Sequence, residues 1–148
     1  MNFKDILDLF KQGKATAKSH MRNLIEIAVA DGGLGIQEQR LLEYAAQRNN
    51  ISREQLKEIQ ADASNVRFEA PRDKEERFVQ LYDLVHMMSV DDTIHAEERR
   101  LCEIFAIKFG YRKEVVREMI DLIRTNIKEW IGAKQTMEIV TRTMSVYE

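Results

Sequence analysis

Apolar residues recur at spacings of three and four along most of this chain, the period of helices that bury one face. The opening segment puts Phe3, Ile6, Leu7 and Phe10 on one stripe, which predicts a short amphipathic helix that ends near Gly13 and docks on the remaining fold. A second stripe, Met21, Leu24, Ile25 and Ala28, predicts a helix from about Thr16 to Ala30. Leu41, Leu42, Ala45 and Ala46 predict another from about Ile36 to Gln47. Ser52-Arg53-Glu54-Gln55 has the capping-box arrangement, a hydroxyl followed three residues later by a side chain able to reach back, so a short polar helix starts there.

Between Ala61 and Lys74 the pattern is polar and charged and holds the chain's one proline, Pro71. That composition predicts an exposed connection, a hinge between two halves. Helical periodicity resumes over about Glu75 to Ser89, Ala96 to Phe109 and Lys113 to Arg124. The last stripe, Val116, Met119, Ile120 and Ile123, runs on to Ile127 and Trp130, and a final helix follows Gly132. The prediction is an all-α fold: one domain over residues 1–148, a bundle of about seven to eight helices.

The chain repeats itself. Residues 21–56 align without a gap on residues 81–116, an offset of 60 throughout. Identities include Leu24/Leu84, Asp31/Asp91, Glu38/Glu98, Arg40/Arg100, Leu41/Leu101, Glu43/Glu103, Ala46/Ala106 and Glu54/Glu114. Each copy reads as helix, tight bend, helix, and neither buries its apolar stripe alone. Two pseudo-repeated hairpins, about 16–60 and 75–125, therefore share one core, with residues 126–148 as a C-terminal helical extension. The bends have a common form: Asp31-Gly32-Gly33-Leu34-Gly35-Ile36-Gln37-Glu38 in the first copy and Asp91-Asp92-Thr93-Ile94-His95-Ala96-Glu97-Glu98 in the second. A carboxylate ends one helix, an aliphatic residue pins the bend to the core, and a second carboxylate lies in the first turn of the next helix, where backbone N–H groups are unpaired. Both acidic ends can face one space.

Composition narrows the function. With 148 residues and 44% hydrophobic content the chain can build a real core. Its 23 Lys and Arg against 25 Asp and Glu leave no field of one sign for nucleic acid or anionic membrane. One cysteine, Cys102, excludes an internal disulfide, and no apolar stretch has the length of a membrane span or a secretory signal, so the expected setting is cytoplasmic.

The segments Ile27-Ala28-Val29-Ala30-Asp31-Gly32 through Glu38-Gln39-Arg40-Leu41-Leu42, and Met87-Met88-Ser89-Val90-Asp91-Asp92 through Glu98-Arg99-Arg100-Leu101, resemble the helical family typified by the tellurite-resistance protein TerB. A related domain opens the DnaJ-like co-chaperone DjlA. The resemblance spans roughly residues 16 to 125. It implies an all-helical domain of two pseudo-repeated hairpins whose acidic residues form a metal-binding cluster, in a family whose members mostly have no assigned activity. Carried over by position, the cluster is Asp31, Glu38, Asp91 and Glu98. The sequence departs from the family pattern at Asp92, where glycine is usual, at Gly35, where a hydroxyl N-cap is usual, and at Gln37, where an acid is usual. Asp92 strengthens a cation site in the second bend and Gln37 weakens the first.

Two roles are open to these carboxylates. Converging carboxylates repel, and such a cluster invites a hard cation with oxygen ligands, Ca²⁺ or Mg²⁺. Alternatively Glu38 and Glu98 only reach back to cap their helices, and Asp31 and Asp91 only terminate bends. An EF-hand is excluded: the twelfth position after each aspartate is Leu42 or Cys102. His20, His86 and His95 lack zinc-ligand spacing, although His86 or His95 could add an imidazole to the second bend. Cys102, inside an apolar run, reads as a buried structural thiol, and Gly32-Gly33-x-Gly35 lacks the Lys-Ser/Thr of a phosphate loop. The methionines, among them Met87, Met88 and Met119, read as core, and Trp130 either closes the core or joins an exposed contact patch. The functional expectation is a non-enzymatic cytoplasmic interaction module with a protein partner and a divalent cation at Asp31, Glu38, Asp91, Asp92 and Glu98, with the stress or tellurite-resistance role that the resemblance implies. The rival readings are a metal-dependent hydrolase built on the same carboxylates and a purely structural adaptor.

Overall fold

The structure, a computed structural model, describes residues 2–30, 32–90 and 93–147, and the side chains of residues 8–12 lie outside the description. Among the described residues the chain forms seven α-helices and a single 3₁₀ turn. In order they are α1 (Phe3–Val29), α2 (Ile36–Arg48), α3 (Arg53–Ala61), the turn Ala63–Asn65, α4 (Lys74–Met88), α5 (Ala96–Lys108), α6 (Val116–Lys128) and α7 (Ala133–Thr143). The all-helical expectation holds. No described helix is long and apolar enough to cross a membrane.

The repeat is built as the alignment predicts. Helices α2 and α5 start and stop at positions 60 residues apart. They also end in the same way: Asn50 and Gly110 take left-handed φ values of 59° and 98°, and the next residue's N–H returns to the helix, Ile51 to the Ala46 carbonyl at 2.8 Å and Tyr111 to the Ala106 carbonyl at 3.2 Å. The core repeats too. Met21/Leu81, Leu24/Leu84, Ala28/Met88, Leu42/Cys102, Ala45/Phe105, Leu56/Val116 and Ile59/Met119 are all buried. Helix α1 packs on α2, α3, α4 and α5, and α4 on α1, α2, α5, α6 and α7. The first helices of the two copies are thus the centre of the bundle.

Two expectations fail. The opening helix is not separate: α1 runs unbroken through Gly13 for 27 residues. One interior glycine costs only about 1 kcal/mol relative to alanine, too little to stop a helix that is propagating on both sides. A reciprocal cap starts it, with the Asp5 N–H donating to Asn2 Oδ1 at 2.9 Å and the Asn2 N–H to Asp5 Oδ2 at 3.3 Å. Nor does this segment dock, since Phe3, Ile6 and Leu7 are 74%, 51% and 41% exposed; the Phe10 side chain is outside the description.

The connection between the halves is exposed at Asp62, Ser64, Asn65, Arg67 and Arg72, as expected, but it is anchored in between. Pro71 is buried, and Phe68 stacks against Phe105 and Phe109 with ring centroids 6.3 and 5.9 Å apart. The Glu69 N–H donates to Ser19 Oγ at 2.8 Å, which ties the segment to α1. Phe68 anchors it together with Val66 and Ala70, which also pack against the core. The Ser52–Gln55 capping box forms as predicted, with hydrogen bonds of 2.9 and 3.1 Å. Trp130 is 95% exposed at the α6–α7 turn, so it does not close the core, and Met87, Met88 and Met119 are core residues.

Candidate functional site

The two bend glutamates hold the same place, third in α2 and third in α5, with different surroundings. Glu38 reaches back so that Oε2 accepts the Gly35 N–H and caps α2. A Cβ at Gly35 would lie 2.9 Å from that oxygen, the far end of a flexible side chain, so the carboxylate would have to shift. Glu98 is drawn inward and only 4% exposed, with His95 Nε2 3.9 Å from Oε1. Asp31, Asp91 and Asp92 lie outside the described residues. Among the described residues no three His, Cys, Asp or Glu side chains gather as metal ligands would, so a cation at the bends would depend on those three aspartates.

A second polar assembly, absent from the sequence reading, lies between the central helices. His20 of α1 and Asp83 of α4 are 1% and 5% exposed, and His20 Nε2 donates to Asp83 Oδ2 at 2.9 Å. Arg48, the last residue of α2, donates Nη2 to the same oxygen from the solvent side. Burial pushes the Asp83 carboxyl up, but the His20 hydrogen bond and charge, with the Arg48 guanidinium, outweigh it and hold the carboxyl below its ordinary range. His86, one turn further along α4, is pushed down by burial, with Arg48 adding to the effect and Asp83 opposing it.

His20, Asp83 and Arg48 line a cleft of about 850 Å³ between the start of the buried half of α1, the α2–α3 turn and the start of α4. Thr16, Ala17, His20, Ile51, Gln80 and Asp83 form its buried floor. His20 Nδ1 and Gln80 Oε1 have no hydrogen-bond partner among the described residues, and neither does the side-chain amide of the neighbouring buried Asn23.

The signal for this assembly was present. Extending the alignment one residue upstream pairs His20 with Gln80, and within it Asn23 pairs with Asp83. Polar residues at inward positions of both copies break the apolar stripe in a way that surface drift does not explain. Histidines weighed only as zinc ligands hid it, because the partner of His20 is a carboxylate 63 residues away.

Cys102 matches its expected role: it is fully buried, its thiol lies 3.7 Å from the Leu84 carbonyl, and burial pushes its pKa far up, which removes it as a nucleophile. His95 occupies the N-cap position of α5. No protein-family model matches the chain, and no curated protein or solved structure matches it either.

Proposed function

We propose that this chain is a non-enzymatic helical interaction module whose two acidic bends hold a divalent cation and whose setting is the cytoplasm. In line with the TerB resemblance, the role would lie in stress or tellurite resistance. The observation that carries this reading is Glu98. It is drawn in to 4% exposure at the start of α5 and follows Asp91 and Asp92 by seven and six residues, in a stretch whose sequence is rich in carboxylates. That is the setting hard cations favour. The donors are carboxylate oxygens, a chemistry that fits Ca²⁺ or Mg²⁺ better than Zn²⁺. Asp31, Asp91, Asp92 and Glu98 would hold the ion, while Glu38 divides its oxygens between the ion and the Gly35 N–H. Occupancy would fix the angle between the two hairpins and so the surface offered to a protein partner.

Thermal melts titrated with Ca²⁺, Mg²⁺, Mn²⁺ and Zn²⁺ test the reading. A specific site stabilises the fold by about 2.7 kcal/mol at a hundredfold excess over Kd, and Asp91→Asn abolishes the effect. Melts that no ion shifts, or that shift equally in Asp91→Asn, overturn it.

A further inference from the structure

The segment after α7 is docked on the bundle as a peptide ligand would be. The backbone turns extended at Met144, Val146 is buried, and Tyr147 forms an antiparallel bridge with Tyr111. The Arg112 N–H donates to the Val146 carbonyl at 2.8 Å, and Arg112 Nη1 donates to the Ser145 carbonyl at 3.0 Å. The Tyr147 ring stacks on Tyr111 with centroids 5.5 Å apart, and the Lys74 ammonium lies 4.5 Å from its centroid. Main-chain hydrogen bonds thus hold an extended strand along the turn between α5 and α6, while a ring and a cation hold its aromatic side chain.

The residues that make this grip have counterparts 60 positions earlier. Tyr111 matches Ile51, Arg112 matches Ser52, and Lys74 and Arg77 of α4 match Lys14 and Ala17 of α1. Both helices run unbroken from these positions into the aligned segments, so the offset holds there. Lys14, Ala17 and Ile51 all line the cleft of about 850 Å³. The cleft is therefore the first repeat's version of the groove that the second repeat fills with residues 144–147. Ala17 in place of Arg77 and Ile51 in place of Tyr111 make the first groove the roomier one, and its volume lies within the range of ligand sites. The Ser52 N–H, counterpart of the Arg112 donor, is taken by Gln55 Oε1 at 2.9 Å. Gln55 lines the cleft as well, and its flexible side chain can give way to a backbone carbonyl.

We propose that this cleft binds an extended segment of a protein partner in which an aliphatic residue is followed directly by an aromatic one. A carbonyl of that segment takes the Ser52 N–H in place of Gln55, and the aromatic ring rests on Ile51 beside the Lys14 ammonium. The inference rests on the interaction-module reading for the existence of a protein partner, and it needs no cation at the acidic bends.

The probe is the pentapeptide Thr-Met-Ser-Val-Tyr, the sequence of residues 143–147, acetylated and amidated so that it carries no charge. Titrated into the isotope-labelled full chain and followed by amide NMR shifts, it should saturate, with the shifts centred on Ala17, Ile51 and Ser52. Replacing the tyrosine of the peptide by alanine weakens binding about tenfold. Lys14→Glu, a change on an exposed side chain that leaves the core intact, weakens it about threefold. Asp91→Asn leaves it unchanged, so failure of the cation reading and failure of this one are told apart. The proposal is overturned if the peptide does not saturate, or if Lys14→Glu has no effect. Shifts centred on Tyr111 and Arg112 also overturn it, because the peptide then only displaces residues 144–147. Self-association of the free chain that Lys14→Glu abolishes makes the occupant another molecule of this chain and overturns the proposal of a foreign partner.

Discussion

Asn50 and Gly110 hold one left-handed position in two copies of the same helix ending, with asparagine tolerated in the first and glycine in the second. The bend needs a positive φ, and the two residue types meet that need at different cost. Asn50→Gly should therefore be within a few tenths of a kcal/mol of the parent, whereas Gly110→Ala should lose about 1 kcal/mol. A new Cβ there would meet only the Arg77 Nη1, at 3.5 Å, an ordinary contact, so the cost lies in the backbone. Urea titrations of the two variants check the difference.

Removing the Asp83 carboxylate leaves buried His20 without its acceptor and frees Arg48. Asp83→Ala should cost about 3 kcal/mol. Arg48→Gln should cost about 1 kcal/mol, because that guanidinium is partly in water and the His20 bond survives. Equal losses in the two denaturation midpoints would contradict this ordering.

Acid should destabilise the fold in two stages. Both His86 and Asp83 have pKa values below their ordinary ones in the folded protein, so each contributes stability that is present above its unfolded pKa and lost as pH falls through the folded one. The loss from His86 begins below about pH 6.5 and that from Asp83 below about pH 4. Melting temperature against pH should show both, and His86→Gln should erase the first and leave the second.

Gly35 and Glu38 should behave as one unit. Glu38→Ala removes the cap on α2 and should cost about 1 kcal/mol. Gly35→Ala crowds the same oxygen and displaces it. The double variant should then be no less stable than the worse single variant, a non-additivity that a double-mutant cycle measures.

Phe68→Ala should cost about 2 kcal/mol, since it removes the ring that stacks on Phe105 and Phe109 and carries the Lys108 ammonium 4.9 Å from its centroid. A freely exposed connection would show no loss, so chemical denaturation separates the two views.

Much of the architecture was readable because it follows from period and from repetition. The stripes through Met21 and Leu81 placed the central helices, and identities at the fixed offset placed α2 and α5. What escaped depends on side chains meeting across the fold. Gly13 reads locally as a stop, but helix continuation is cooperative and the signal is weak beside it. Phe68 and Val66 read as scattered apolar residues in a polar stretch, and only the position of α5 turns Phe68 into an anchor. For the site, Glu38 as a cap was among the roles the spacing allowed, and Glu98 was named without its burial. The cleft floor was missed because His20 and Asp83 each look unremarkable until α1 and α4 are packed together.

That pair also constrains how α1 can lie against α4. Were α1 to slide by one turn in either direction, the Asp83 carboxylate would face Thr16 or Leu24 in place of the imidazole. A threonine hydroxyl is a poor substitute, and a leucine is none. Such a shift would also break the close packing of Met21, Leu24, Leu81 and Leu84, so this charged notch adds to the packing in making one alignment of the two rods better than its neighbours. Since α1 belongs to one copy and α4 to the other, the same notch helps set how the duplicated halves are clocked against each other.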